Sequence, residues 1–517
     1  MKKHAFMVGL GIFFSRIAGL IRERVFAHYF GNSDAGDAFK AALKIPNFLQ
    51  NLFGEGVLSA SFIPVYAQLL AKKHDEDAAK VASVVGSLLF ILTSVLVLLG
   101  VLATPFLIGV IAPGFQGEKR DLTIQIVQIL FPGTGFLVMS AWCLGILNSH
   151  KKFFLSYVAP VIWNIAIIAA IVGWRHQDQY NLAITASYGL VVGSLLQFLI
   201  QLPFALKLGG KLRPSLSLGS DSVRKVLKNF FPVVFSRGVV QVSAYVDNIL
   251  ASLLPTGAVS ALAYAQTLYL LPVSLFGMSV SVAELPSMSQ ATGSEEEIRA
   301  YLKKRLNAGL RQIAFFIVPS VVGFFVLGDL IVGAIFQTGV FDRESTNYVW
   351  AVLAGYSVGL LASTLGRLYS STFYSLQDPR TPLRFALVRV GLAAVMGLAA
   401  AIYLPQVFGL SAKWGAAGLT VAAGIAGWIE FYLLRHTLNK KIGETGLPLT
   451  FQGKLWGAAF IASAVAFGAK FILNDFGHII LRAVIVLGIY GVLYFGLGYI
   501  FKVEQAAALI EKIKRRF

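Results

Sequence analysis

Cysteine occurs once in 517 residues, at Cys143, within the apolar stretch 138–144. That excludes a disulfide framework and a cysteine metal site, and Cys143 reads as a packing residue. Charge is scarce: 13% of residues are Asp, Glu, Lys or Arg against 56% hydrophobic, with a mean hydropathy of +0.72. A soluble core does not use that much apolar surface, so a soluble enzyme with one anchor is excluded and the chain reads as an integral membrane protein. The G-x-x-x-x-G-K-[ST] and H-E-x-x-H patterns are missing and the seven His are scattered, so the sequence offers no ATP site and no metal motif. Short alternating segments are missing too, which excludes an outer-membrane barrel.

What is present is a series of long apolar runs. At about 20 residues per helical crossing, punctuation by polar residues, Gly and Pro predicts fourteen spans, at 5–30, 35–70, 79–111, 122–148, 154–174, 182–206, 226–254, 258–290, 306–337, 346–376, 384–405, 413–438, 454–474 and 478–501. Lys2 and Lys3 ahead of an apolar run resemble a signal peptide, but the run continues through Arg16, Arg22 and Arg24 with no small-residue cleavage pattern, so it is read as retained.

Basic residues outnumber acidic ones, 44 to 25, for a net charge of +19. Taking the N-terminus as cytoplasmic puts most of the Lys and Arg in cytoplasmic loops. Only Lys119, Arg120, Arg175, Arg343, Lys413, Lys470 and Arg482 fall on the opposite side. Such asymmetry is how short loops mark the cytoplasm, so both termini are predicted inside. It also accounts for the positive charge without a nucleic-acid surface.

The basic residues left inside the spans are Arg16, Arg22, Arg24, Lys40, Lys44, Arg237 and Arg367, five of them in the first two spans. Each costs roughly 2.5–3.5 kcal/mol at mid-membrane on insertion scales, so the cluster is expected to line a polar cavity rather than face lipid. A weak internal repeat sets the organisation. Phe14-Ser15-Arg16 recurs as Phe235-Ser236-Arg237, the segment 62–68 recurs as 284–290, and Pro46 aligns loosely with Pro272. Six spans separate the copies, so both halves insert the same way up. The expected architecture is all-α: a first lobe at 1–220, a second at 221–445, a central cavity enclosed by the two, and two extra spans with a basic tail at 446–517.

Three constellations carry candidate chemistry. In 15–24, Arg16 and Glu23 share a helix face, Arg22 is displaced from it, and Glu23 neutralises only part of the charge. Clustered guanidinium groups suit a ligand with adjacent negative charges, such as a diphosphate, through bidentate hydrogen bonds. The alternative makes Arg22 and Arg24 snorkelling or ion-paired structural residues. In 37–47, Asp37, Lys40 and Lys44 fall at i, i+3 and i+7, a polar stripe in which Asp37 either contacts ligand or simply neutralises Lys40. Pro46 and then Gly54, Glu55 and Gly56 predict a kink that could serve as gate or hinge, with Glu55 equally a helix-packing partner. Further on, Asp247 and Glu284 are candidates for coupling-ion or proton sites, or balance nearby arginines. No cofactor is expected. With no ATP site, uphill transport would draw on the membrane potential, an Na+ or H+ gradient, or a partner.

A surplus of bases near the cavity favours an anionic ligand over the cation or drug of an antiporter. Lipid-linked sugar diphosphates fit, since phosphates need arginines while the polyprenyl tail stays in the bilayer. A membrane glycosyltransferase would want clustered carboxylates, and none is found. Several stretches carry a resemblance: 15–23, Asp37-Ala38-Phe39, Lys44-Ile45-Pro46-Asn47, Glu55-Gly56, Phe62-Ile63-Pro64, Ala112-Pro113-Gly114-Phe115 and 374–382. In order, over nearly the whole chain, they resemble the MurJ (MviN) family of bacterial lipid II flippases, in the MOP superfamily with the MATE transporters. That resemblance implies fourteen helices, two lobes working by alternating access, and two extra helices forming a lipid-tail groove. It implies a transporter rather than an enzyme, in the bacterial cytoplasmic membrane, exporting undecaprenyl-diphosphate-linked peptidoglycan precursor. Its partners would be lipid II, membrane lipids and, as candidates, cell-wall synthesis proteins. Arg16, Arg22 and Asp37 match residues the family uses in its cavity, and Glu23 matches an acidic neighbour. Two positions depart: Gln50 and Thr267 stand where the family commonly has arginine. Arg237 or Lys40 is the candidate replacement for that charge. The departures leave open a flippase for another polyprenyl-diphosphate glycan and, further off, a MATE-like antiporter.

Overall fold

The computed structural model describes residues 2–473 and 477–514. Side chains are described for these except 2–10, Ile12, Glu55, Phe231, 235–244, Leu404, Ile510 and 512–514. The described residues form helices and connecting turns with no β-strand. In order the helices are α1 (Lys2–Phe30), α2 (Asp34–Ala42), α3 (Lys44–Phe53), α4 (Glu55–Ser61), α5 (Ile63–Ala71), α6 (Asp75–Ile111), α7 (Gly117–Ser149), α8 (Phe153–Gly173), α9 (Gln179–Leu208) and α10 (Asp221–Ser252). They continue as α11 (Ala258–Pro272), a π-helical segment Val273–Met278, α12 (Ser279–Ser289), α13 (Glu295–Val326), α14 (Gly328–Phe336), α15 (Arg343–Ser375), α16 (Arg380–Val407), a 3₁₀ turn, α17 (Gly415–Ile442), α18 (Leu449–Ile472), α19 (Ile479–Ile500) and α20 (Glu504–Lys514). Eleven of the described helical stretches are long and apolar enough to cross a membrane, so this is an all-α, multi-pass membrane protein. The other three expected spans, 5–30, 35–70 and 226–254, are helical as well and carry most of the ionisable residues found inside apolar runs.

Helix ends extend past the apolar runs where polar caps allow. The run starting at 306 begins as a helix at Glu295, because Ser294 and Glu297 form a reciprocal capping box. That helix stops at Val326, so the expected single span 306–337 is two helices, α13 and α14. Hydropathy marks where hydrocarbon begins; capping marks where the helix does. Asp178 and Asp342 cap α9 and α15 more simply, each carboxylate accepting from backbone N–H within the first turn.

The second expected span is the most broken. Leu43 separates α2 from α3, Gly54 separates α3 from α4, and Phe62 separates α4 from α5. Pro46 and Pro64 sit in first turns, where a missing N–H costs nothing. At Gly54 a β-carbon would run into the Gln50 carbonyl oxygen, so this break requires glycine. The repeat offset of 222 carries Gly54 onto Phe276, inside the π segment Val273–Met278. Both copies of this helix therefore depart from α geometry at the same place.

By internal contacts the chain separates into two compact units, 1–260 with 338–340, and 261–337 with 341–517. In the first, Val57, Phe62, Tyr66, Val81, Val85, Trp142, Ile146 and Val226 pack into one core, with Cys143 fully buried among them. Trp142 donates from its indole N–H to the Ala82 carbonyl, 3.1 Å, satisfying the polar atom that so large a ring brings inside. In the second, α15 packs along α17, where Gly359 and Gly424 meet backbone to backbone, and Phe315, Tyr490 and Tyr494 seat α19 on α13.

Candidate functional site

The arginine cluster lies where α1 packs on α8. Arg22 is held from two sides: Nη2 donates to Glu23 Oε1 at 2.7 Å and Nη1 to Asn164 Oδ1 at 3.1 Å. Asn164 is itself fixed by donating to the Pro160 carbonyl, 2.9 Å. The guanidinium carbon stands 4.9 Å from the centre of the Trp163 ring, within cation–π range. The other oxygen of Glu23 takes Lys40 Nζ at 2.5 Å, and Lys40 also lies 4.3 Å from the Phe26 ring centre. One buried carboxylate thus serves two cations, and the cluster keeps one net positive charge. Helix periodicity placed Glu23 with Arg16, but its partners are Arg22 beside it and Lys40 on α2. Arg16 is exposed.

Asp37 belongs to a second cluster. It is 1% exposed and fully occupied: Oδ2 accepts from Lys119 Nζ and the Gly257 N–H, and Oδ1 from the Ser260 N–H, each at 2.8 Å. The carboxylate thereby caps the start of α11 from another helix. Lys119 bridges to Asp34 at 2.8 Å, and Asp34 accepts from the Thr256 hydroxyl. The expected stripe of Asp37, Lys40 and Lys44 therefore does not act as one unit. Helix α2 ends before Lys44, and Asp37 and Lys40 reach different partners. Nor is Lys40 a loose charge standing in for the missing arginines, since Glu23 holds it.

The remaining candidates are dispersed. Lys44 and Asp247 lie close enough to interact electrostatically, and the Tyr245 hydroxyl donates to the Lys44 carbonyl. Glu284 faces Arg305 at 2.8 Å. Arg389 faces Glu430 at 3.2 Å, with Arg367 near the same carboxylate. Pro46 is buried in α3, and Gly54 forms the break. The side chains of Glu55 and Arg237 lie outside the described residues.

Gly56 and Gln50 face a cavity of about 590 Å³ in the first unit, lined also by Asn51, Ser59, Leu137, Ser140, Ser156, Pro160, Trp163 and Gln197. Its wall is fixed by a hydrogen-bonded chain in which Gln197 Nε2 donates to Ser140 Oγ at 3.0 Å and Ser140 donates to Gln201 Oε1 at 2.8 Å. Trp163 lines this cavity and also lies against Arg22, so the charged cluster and the neutral cavity meet at one ring. Sequence reasoning passed over Lys119, Trp163, Asn164 and the cavity residues other than Gln50 and Gly56. The signal was uncharged: Asn164, Gln197 and Gln201 are amides inside apolar runs, where each needs a polar partner.

Comparison with known proteins identifies the family. A family model described as lipid II flippase MurJ matches residues 26–487. A lipid II flippase MurJ of Burkholderia cenocepacia is 30% identical over 461 residues, 87% of this chain and 86% of the relative. A probable lipid II flippase MurJ of Rickettsia prowazekii is 29% identical over 503 residues, 95% of this chain and 96% of the relative. Among solved structures, a lipid II flippase MurJ in an inward closed conformation superposes with a TM-score of 0.78 at 27% identity, covering 97% of this chain and 99% of that one. An inward-facing multidrug-resistance MATE transporter of the MOP superfamily reaches 0.64 at 16% identity, over 81% of this chain and 95% of that one, a likeness of fold alone.

Proposed function

We infer the function from one premise: the chain belongs to the lipid II flippase MurJ family. Its cargo is then undecaprenyl-diphosphate-linked peptidoglycan precursor, lipid II, carried from the inner to the outer leaflet of the bacterial cytoplasmic membrane by alternating access. Both termini are cytoplasmic in this reading, supported by the distribution of Lys and Arg among the loops. Energy comes from the membrane potential or an Na+ or H+ gradient.

The observation that carries the chemistry is Arg22. Glu23 and Asn164 take one N–H from each end of its guanidinium, which leaves further donors for a phosphate oxygen. The net positive charge of Arg22, Lys40 and Glu23 favours a polyanionic head group, and a preset guanidinium loses little entropy on binding it. Arg16 is exposed on the same helix, about 1.7 turns earlier, as a second phosphate ligand.

The test is replacement in a bacterium whose own flippase can be shut off. Expression of this chain should restore lipid II exposure at the outer leaflet, read by labelling from outside. Accumulation and rescue of a different polyprenyl-diphosphate glycan would point instead to a paralogue, the reading that Gln50 and Thr267 leave open. Changed drug sensitivity with no change in lipid exposure would favour a MATE-like antiporter and end the flippase reading.

A further inference from the structure

The cavity next to Arg22 has a chemistry of its own. Gln50, Asn51, Ser59, Ser156, Trp163 and Gln197 present amides, hydroxyls and one indole, and among the described residues no charged one lines it. A diphosphate would find no cation there, and a metal or drug cation no carboxylate. An acyl chain would bury amides with nothing to bond, at a cost of about 1–3 kcal/mol each. What fits is a neutral ligand rich in hydroxyl and amide groups. At about 590 Å³ the space lies within the roughly 300–1,000 Å³ typical of small-molecule sites.

We propose that this first-unit cavity is a carbohydrate subsite that holds the N-acetylated sugar attached to the diphosphate; the proposal rests on the flippase reading above. Three features support it besides the lining. Trp163 offers an aromatic surface for the apolar face of a pyranose, and its buried indole N–H has no hydrogen-bond partner among the described residues. Such a donor is costly unless something accepts from it. The Gln197–Ser140–Gln201 chain holds the wall in place before a ligand arrives, as polar recognition needs. The order along the site is also that of the ligand. In a glycosyl diphosphate the charge is bonded directly to the first sugar, and here Arg22 and the cavity are separated by one indole. Gln50 acquires a purpose in this account, as an uncharged donor and acceptor lining the sugar site. The anionic stem peptide finds no cation in this cavity and lies outside it.

The test measures binding of three probes to the full-length protein in lipid nanodiscs: undecaprenyl diphosphate, its peptide-free N-acetylhexosamine conjugate, and lipid II. The wild-type chain should hold the sugar conjugate at least tenfold more tightly than the bare diphosphate. Gln50→Leu and Asn51→Leu should bring that ratio close to one and leave affinity for the bare diphosphate unchanged, while Gln50→Asn should keep most of the preference. An unchanged thermal midpoint shows that a variant is folded. Equal wild-type affinity for the first two probes would overturn the subsite and leave the flippase reading standing. So would variants that lose both ligands alike, or a preference that appears only with the peptide. A wild-type chain that binds none of the three would overturn both.

Discussion

Lys40 Nζ meets Glu23 Oε2 at 2.5 Å across 17 positions of sequence, with Glu23 7% and Lys40 6% exposed. Because Arg22 takes the other carboxylate oxygen, Glu23 is a shared counterion for two cations inside the first unit.

Removing that carboxylate should therefore cost more than removing the whole pair. Glu23→Gln takes from buried Lys40 the carboxylate that balances it and is expected to destabilise the protein by about 3–5 kcal/mol, while Glu23→Gln with Lys40→Met should recover most of the loss. Thermal unfolding in detergent measures both. A double variant no more stable than Glu23→Gln would show that Lys40 is not what Glu23 stabilises.

Arg22 calls for geometry as well as charge. Arg22→Ala should abolish outer-leaflet exposure of lipid II without lowering the amount of inserted protein. Arg22→Lys should rescue poorly, since an ammonium cannot reach Glu23 and Asn164 with a planar fork. Arg16→Ala is expected to reduce transport in the same assay. Full activity in the Arg16→Ala, Arg22→Ala double variant would remove both from the transport mechanism.

Asp37 should matter through the backbone it caps. Charge-assisted hydrogen bonds are worth about 1.5–3 kcal/mol each, so Asp37→Ala is expected to speed amide hydrogen exchange at Gly257 and Ser260 by roughly 10- to 100-fold. Asp37→Asn, which keeps one acceptor oxygen, should lie between. Exchange unchanged in both variants would mean the Asp37 contacts do not hold the start of α11.

Those three residues also show what a sequence can and cannot convey. The apolar runs were plain because bilayer thickness imposes a length on every crossing, and the run 122–148 became α7, Gly117–Ser149, with little adjustment. Pairing was not plain. Periodicity sees partners three, four or seven residues away, so it offered Lys40 to Asp37; the actual partner of Asp37, Lys119, lies 82 positions on and is supplied by packing. The sugar cavity was harder still. Its residues come from α3, α4, α7, α8 and α9, and apart from Gln50 and Gly56 none stands out alone.

On the loop between α15 and α16, Asp378 accepts from Lys441 Nζ at 2.7 Å and from the hydroxyl and N–H of Thr381. The Lys441 ammonium, with Thr381, holds its carboxyl below the ordinary 3.8, at about 2. A depressed carboxyl stabilises the fold above its unfolded value and loses that contribution as pH falls from 3.8 through about 2. Water around Lys441 screens the pair, so Asp378→Asn should cost about 0.5–1 kcal/mol at neutral pH. The gap between the two proteins should close as the solution is acidified through that window, read from denaturation midpoints. A gap independent of pH would mean the carboxylate's charge contributes nothing.

The π segment Val273–Met278 has a corollary for how its span tolerates change in length. Such a bulge contains one residue more than an α-helix needs for the same rise. Deleting a single residue from it would straighten the helix and leave every side chain beyond Met278 on its original face, whereas the same deletion elsewhere in 258–289 would swing all that follow by about 100°. The surplus residue is slack already laid into the chain.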